Sequence, residues 1–501
     1  MTVATENWRD EAAAYARKHG LSARWTRALA AFAPQDVHVA TDRPEIRAAQ
    51  DEVALGDCLE RMLGRDVDVA QAAMFRRRFD AVTAWLSDLA DEHPEATLLV
   101  MGLLGRVREI LACPYDRVLR VRSLVDFYYS QAGLLAHGVG PDSPPAASLF
   151  RDPRWSDIAA GLQIATLDGF TDSGPQIAHA MRIDPAHVDL VARVFTDEEA
   201  HSAAFGPRTA QLGAIAATSG GFFLHSEADI EPPSQRYDPV GLMIEDGKVI
   251  SPPVFARGAL VQRDGRWSIE VVGPDQARIT VQKAAGPVAL HDRGATFINR
   301  ATHQSADVSG RIGVAVVGRK VVATAAGATL PVPLNGCVIV VPDDEDVRSI
   351  TVGDSVSWRL DGVDQAMAGG PVLVRGGVLC VDKVAEQMAG TAPPVTFSRD
   401  ETGDLNLLPR MAVGLLDDGR IVLLAVEGRW VDRALGLGLG NVAEAMIAMG
   451  CRTALNLDGG SSKRMILRGE SLDVSTTEIQ AQASTPARIR PVRSGLLVFA
   501  R

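Results

Sequence analysis

The chain has 501 residues, 47% hydrophobic and 23% charged, the balance of an ordinary globular protein too long for one core, so two or more domains are expected. A formal net charge of −11 argues against nucleic acid or an acidic membrane surface as the main partner. Five cysteines (Cys58, Cys113, Cys337, Cys380, Cys451) lie far apart without a CxxC pair, which fits reduced structural thiols rather than a disulfide framework or a zinc site.

Residues 1–17 are charged and lack the apolar run of a secretory signal, and the best apolar stretch, 98–104, is too short to span a bilayer. A cytoplasmic protein with no membrane partner is the expectation. Up to residue 140 the pattern is helical. Phe75, Phe79, Val82, Leu86 and Leu89 recur at three- and four-residue steps, and Val118, Val121, Val125, Tyr128, Ala132 and Leu135 repeat the stripe. Arg76, Arg77 and Arg78 read as a solvated helix face. A separate all-α domain is expected over 1–140, with docking or homo-oligomerisation as its role. Residues 141–154, rich in Pro, Gly and Ser, are the expected linker to a domain spanning 155–501.

Past the linker, short Val- and Ile-rich runs alternate with Gly and Asp-Gly turns. Strands are expected at 240–244, 259–262, 269–272, 313–317, 336–341 and 371–374, with turns at Asp246-Gly247 and Asp264-Gly265. The fold class read from this is α+β, a mixed, sheet-rich C-terminal domain beside the helical one. Asp343-Asp344-Glu345-Asp346 lacks the spacing of an EF-hand loop and reads as a solvated turn. Glu198, Glu199 and His201 lack the HExxH spacing. Neither a metal nor a cofactor is implied.

The last hundred residues permit a geometric reading. Strands 411–416 and 421–426 flank the turn Asp417-Asp418-Gly419-Arg420, so Arg410 should lie near Glu427 and Arg429. A helix follows over 441–449, with Asn441 as N-cap, Glu444 in its first turn and Gly450 as stop. Strand 453–457 should then run parallel to 421–426, bringing Glu427 and Asp458 to one edge beside the Gly459-Gly460 loop. Two carboxylates there could divide acid and base roles across a glycosidic bond, and two guanidiniums with exposed N–H groups suit a phosphate. The same residues would also serve as a structural Arg410–Glu427 ion pair. There is no GxxxxGK[ST], and Ser461 and Ser462 have no neighbouring His in sequence for a serine triad.

Six segments, in order, resemble the phosphodiester glycosidase family. They are Ser219-Gly220-Gly221-Phe222-Phe223, Gly369-Gly370-Pro371 with Leu373 and Gly376, Pro409-Arg410-x-Ala412-x-Gly414, Glu427-Gly428-Arg429, Asn456-Leu457-Asp458-Gly459-Gly460, and Arg490-Pro491-Val492. The resemblance covers about residues 155–501 and implies a hydrolase that releases a sugar linked through its anomeric oxygen to a phosphodiester. It implies a small glycosyl phosphate or a glycan as partner, with Asp458 and Glu427 catalytic. Arg410, Arg429, Asn456, Gly459, Gly460, Ser461, Ser462, Gly220, Gly221 and Gly370 would bind substrate. Departures from the family pattern are Ser219 for Asn, Glu427 for Asp, Ser461 for a third loop glycine, and Lys463 and Arg464 for Ser and Thr; the added cations favour a more anionic ligand. The competing expectation is a non-catalytic carbohydrate- or phosphate-binding protein, or an assembly protein, on the same scaffold.

Overall fold

The computed structural model describes residues 142–195, 205–224, 238–382, 385–388, 407–430, 433–474 and 492–501, with Leu134, His137 and Val139. Among these, 27 strands stand against three α-helices, Phe205–Gln211, Glu345–Arg348 and Leu439–Ala448. The α+β expectation with a separate all-α N-terminal domain is thereby corrected to a mostly-β fold. The apolar stripes starting at Phe75 and Val118, and the Glu198–His201 group, lie outside the described residues.

Turn chemistry explains the excess of strand. Asp246 and Gly247 (φ 47° and 74°) and Asp264 and Gly265 (φ 48° and 72°) are consecutive left-handed pairs. That geometry closes two-residue hairpins without any crossover helix. The hairpins join Met243–Glu245 to Lys248–Ser251 and Arg257–Arg263 to Arg266–Val272. Strands at Arg311–Val317, Gly336–Pro342 and Val372–Arg375 also fall where the apolar runs placed them.

The element that positions the candidate site is an eight-stranded antiparallel sheet. Its order is Ser156–Ala159, Leu162–Thr171, Gly174–Ile183, Ile421–Val426, Arg410–Leu415, Thr453–Leu457, Val372–Arg375 and Val378–Leu379. Side chains alternate between two layers, as the pleat demands. Ala412, Val422, Leu424 and Ala454 pack against the helix Leu439–Ala448 through its Val442, Ala443 and Met446. Met411, Val413, Leu423, Leu455 and Leu457 pack on a second sheet through Leu190, Ala216 and Leu496.

The helix starts at Leu439, two residues before the expected N-cap Asn441, because Gly438 is the cap, with φ −72° and ψ 161°, and Leu439 is buried. Gly450 (φ 90°) ends it as expected, its N–H donating to Ile447 O at 2.9 Å. Within the expected linker, Ala146–Phe150 forms a 3-10 helix whose Ala146 and Phe150 are fully buried in the helix-side layer. The acidic run is more ordered than a solvated turn. Asp344 caps Glu345–Arg348 by accepting from Val347 N–H, while Arg293 pairs with Asp344 and Asp346. Cys337 and Cys451 are free and buried, and burial pushes both thiols up to about 12, the state of inert structural cysteines.

Candidate active site

Three chain ends converge where the Arg410–Leu415 strand begins. Arg410 pairs with Val426 on one side and Met411 with Leu457 on the other, so Glu427 and Asp458 each follow the last residue of a flanking strand. Those strands run in the same sense, but the Arg410 strand lies between them. Their backbones are therefore roughly 10 Å apart, two inter-strand spacings, instead of adjacent.

Alternation then parts the side chains. By the period of their strands, Arg410 and Asn456 belong to the helix side and Glu427 to the second-sheet side. Contacts agree: Arg410 Nε donates to Leu437 O at 2.9 Å, just before the helix, and Glu427 meets His179 from the neighbouring strand. Glu427 is fully buried and fully engaged. Oε1 lies 3.2 Å from His179 Nε2 and accepts from Arg433 Nη2 and the Val474 N–H, both at 3.2 Å, while Oε2 accepts from Arg433 Nε at 2.9 Å. Burial works to raise its pKa, but the His179 contact and the charges of Lys463 and Arg433 outweigh it, holding the carboxyl below its ordinary value. A carboxylate so held is an ionised anchor. The Arg410 strand thus stands between Glu427 and Asp458, and Arg433 makes an ion pair with Glu427.

Asp458 has a different setting. It is 5% exposed, and its N–H donates to Gly220 O at 3.0 Å, tying the strand end to the Ser219–Phe223 motif. Two glycines there are forced by close approach: a Cβ at Gly220 would lie 2.4 Å from Met367 Sδ, and one at Gly221 2.4 Å from Ala368 O. Asn456 Nδ2 donates to Gly370 O at 2.8 Å, and the Gly370 N–H donates back to Asn456 O at 2.8 Å. Gly460 donates its N–H to Pro409 O at 2.7 Å and opens a single 3-10 turn through Ser462. The structure thus brings Asp458, Asn456, Arg410, Gly220, Gly370 and the 459–462 loop together. Arg429 is buried with a left-handed φ of 64°, a conformation that is uncommon outside glycine and tends to be kept at functional sites.

Three polar atoms stand out. Asn456 Oδ1, Ser461 Oγ and Ser462 Oγ are buried with no hydrogen-bond partner among the described residues. Buried polar atoms are nearly always paired, so these are groups a polar ligand would satisfy. Solvent reaches this rim at Gly459 and Gly460, which are half-buried.

The expected extra cations are committed to the fold. Lys463 and Asp473 form an ion pair with both side chains fully buried, and Lys463 Nζ also donates to Val474 O at 3.3 Å. Arg464 Nη1 donates to Ser461 O at 3.0 Å and to Lys463 O at 2.6 Å, bracing the loop from within. Ser219, the departure from Asn, uses its hydroxyl to accept from the Arg464 N–H at 3.0 Å. Sequence reasoning missed His179, Arg433 and Asp473. Nothing local marks His179, which lies 248 residues from Glu427. Among the described residues, no three His, Cys, Asp or Glu side chains are placed to hold a metal ion.

Residues 294–499 match the phosphodiester glycosidase family. Gly370, Arg410, Glu427, Arg429, Asn456, Asp458 and the loop 459–462 fall inside that span, whereas Gly220 and Gly221 precede it and join through the Asp458 N–H. At family level the match supports a glycosidase-type hydrolase. No curated protein matches the chain.

Solved structures that resemble it are distant. A hypothetical protein from Synechocystis is 19% identical at TM-score 0.45, over 72% of this chain and 65% of that one, so the chain spans less than two thirds of that protein. A Burkholderia pseudomallei protein described as exported is 21% identical at TM-score 0.42, over 65% of this chain and 74% of the other. The zebrafish N-acetylglucosamine-1-phosphodiester alpha-N-acetylglucosaminidase catalytic domain, auto-inhibited by its pro-peptide, is 14% identical at TM-score 0.38, over 72% of this chain and 87% of that domain.

Proposed function

We propose that the chain hydrolyses a glycosyl phosphodiester, releasing the sugar, with Asp458 as the reacting carboxylate. The observation that carries this reading is the setting of Asp458 beside three buried oxygens without partners, Asn456 Oδ1, Ser461 Oγ and Ser462 Oγ, within the span that matches the phosphodiester glycosidase family. In the reaction, water adds at the anomeric carbon, the C–O bond to phosphate breaks, and a phosphate monoester leaves.

An ordinary glycosidase needs a second carboxyl to protonate an alkoxide leaving group. A phosphate monoester, with a second pKa near 6, departs as a stable anion and has no such need. One carboxylate, acting as base on water or as nucleophile, is then sufficient, which accommodates the engagement of Glu427 by Arg433 and His179. Glu427 acts as a positioning residue. Arg410 and Arg429 are assigned to the phosphate, and Asn456, Ser461 and Ser462 to sugar hydroxyls. The backbone of Gly220, Gly221, Gly370, Gly459 and Gly460 forms the walls.

The test is a panel of glycosyl 1-phosphodiesters incubated with the full-length chain in oxygen-18 water. Release of sugar carrying the heavy oxygen is expected. Label in the phosphate would overturn C–O cleavage, and binding by calorimetry without release would favour a non-catalytic binding protein.

A further inference from the structure

We propose that the chain carries a second small-molecule site, sharing no residue with the Asp458 rim, that takes an organic anion bearing an amide. A cavity of about 410 Å³ lies between the 318–320 hairpin turn, the segments 238–241 and 250–255, and Asn335. Pockets for small organic ligands begin at about this size.

The floor is the informative part. Asn335 is 8% exposed, and neither its Nδ2 nor its Oδ1 has a hydrogen-bond partner among the described residues. A side chain offering two donors and an acceptor, all unmet, is strongly disfavoured in an interior unless something else supplies the partners. Nor can the backbone readily turn it away. The next residue, Gly336, donates its N–H to Pro333 O at 3.4 Å and has no room for a Cβ, which would sit 2.1 Å from Val316 O. The group that meets a donor and an acceptor side by side is another amide.

Walls and mouth narrow the class further. Leu224, Val240, Ile250 and Val254 supply apolar surface, and Ser251 closes its own hydroxyl by donating to Pro239 O at 3.1 Å. Arg319 and Lys320 stand at the mouth, both exposed. Lys320 Nζ donates to Ser355 Oγ at 2.9 Å and Gly353 O at 3.4 Å, both neutral, and neither cation enters an ion pair among the described residues, so their charge is not cancelled there. Asp238 is the one carboxylate among the described lining residues. Two cations at the opening, apolar sides and an unmet amide beneath define a ligand with a carboxylate, an aliphatic body and an amide. An N-acylated amino acid is a small molecule with all three.

The test uses N-acetyl-L-leucine as probe, titrated into the full-length chain by calorimetry and by saturation-transfer NMR. N-acetyl-leucinamide lacks its carboxylate and 4-methylpentanoate its amide; each should bind roughly tenfold more weakly. Asn335→Leu should lose at least ~10-fold in affinity while keeping or raising the melting temperature, since it removes a buried unpaired amide. Arg319→Gln, at an exposed position, should weaken binding several-fold and flatten its salt dependence. The proposal is overturned by absence of N-acetyl-L-leucine binding at millimolar concentration, by equal affinity in Asn335→Leu, or by a melting temperature lowered in that variant, which would show the amide to be used by the fold itself.

Discussion

Replacing Lys463 by methionine keeps the length of a side chain that is fully buried but removes the partner of the equally buried Asp473. Breaking a buried pair from one side strands the other charge and costs about 3–5 kcal/mol. Asp473 would keep the Met465 N–H, the Ser471 hydroxyl and the charge of Arg464, but not its buried ion-pair partner. In the native protein burial pushes the Asp473 carboxyl up, but Lys463 and the Met465 N–H outweigh it and hold it below the ordinary value. Its contribution is therefore present above about pH 4 and lost as pH falls through the depressed folded value. In the variant the largest opposing charge is gone, so burial weighs more heavily on the carboxylate and its contribution at neutral pH shrinks. The gap between the two proteins should be widest at neutral pH and narrow on acidification. Calorimetric scans and urea titrations at neutral pH and near pH 4.5 would measure it; at ~2–4 °C per kcal/mol, the neutral-pH melting temperature should drop by roughly 6 °C or more. A gap below about 1 kcal/mol, the range of a surface pair, or one that ignores pH would refute the buried-pair account.

Other substitutions test the rim by geometry. Gly459→Ala places a Cβ 2.7 Å from Pro409 O, a backbone atom that cannot yield cheaply; a loss of about 1–3 kcal/mol and of hydrolysis is expected, read by thermal melts and sugar release. Gly440→Ala is the matched control. Its Cβ meets nothing within 4 Å, so gaining a helix-former in Leu439–Ala448 should stabilise by about 0.5–1 kcal/mol. Arg433→Leu removes two hydrogen bonds to Glu427; with Arg433 about one third exposed, about 1–2 kcal/mol should be lost. Because Glu427 is held below its ordinary value, its stabilisation exists above that range and fades below it, so this variant should begin to unfold at a higher pH on acid titration.

Much of the C-terminal geometry was legible because its signals are local. The apolar runs on either side of Asp417-Asp418-Gly419-Arg420 form the expected hairpin, closed by Leu416 N–H donating to Arg420 O at 2.9 Å. Gly450 stops the helix, and the crossover returns a strand whose end lies at the same edge as Val426. Sheet order was not legible. A crossover fixes only the sense of the returning strand, and the hairpin partner Arg410–Leu415 took the place between, which separates Glu427 from Asp458. The engagement of Glu427 by His179 depends on a pairing between strands far apart in sequence, Gly174–Ile183 with Ile421–Val426, which neither spacing nor periodicity encodes. The α+β reading gave weight to the helical stripes before residue 140, which lie outside the described residues, whereas the Val- and Ile-rich runs past the linker form strands, some closing on one another through Asp-Gly turns.

The most direct test of the central claim is turnover of Asp458→Asn on any glycosyl phosphodiester that the native protein cleaves, with its melting temperature recorded alongside. The amide keeps the size of the side chain and cannot serve as base or nucleophile, so a rate lower by at least ~10²–10⁴ with a nearly unchanged melting temperature is the expected result. Turnover within a few-fold of native, or a loss matched by the unfolded fraction, would contradict the assignment of Asp458 as the reacting group.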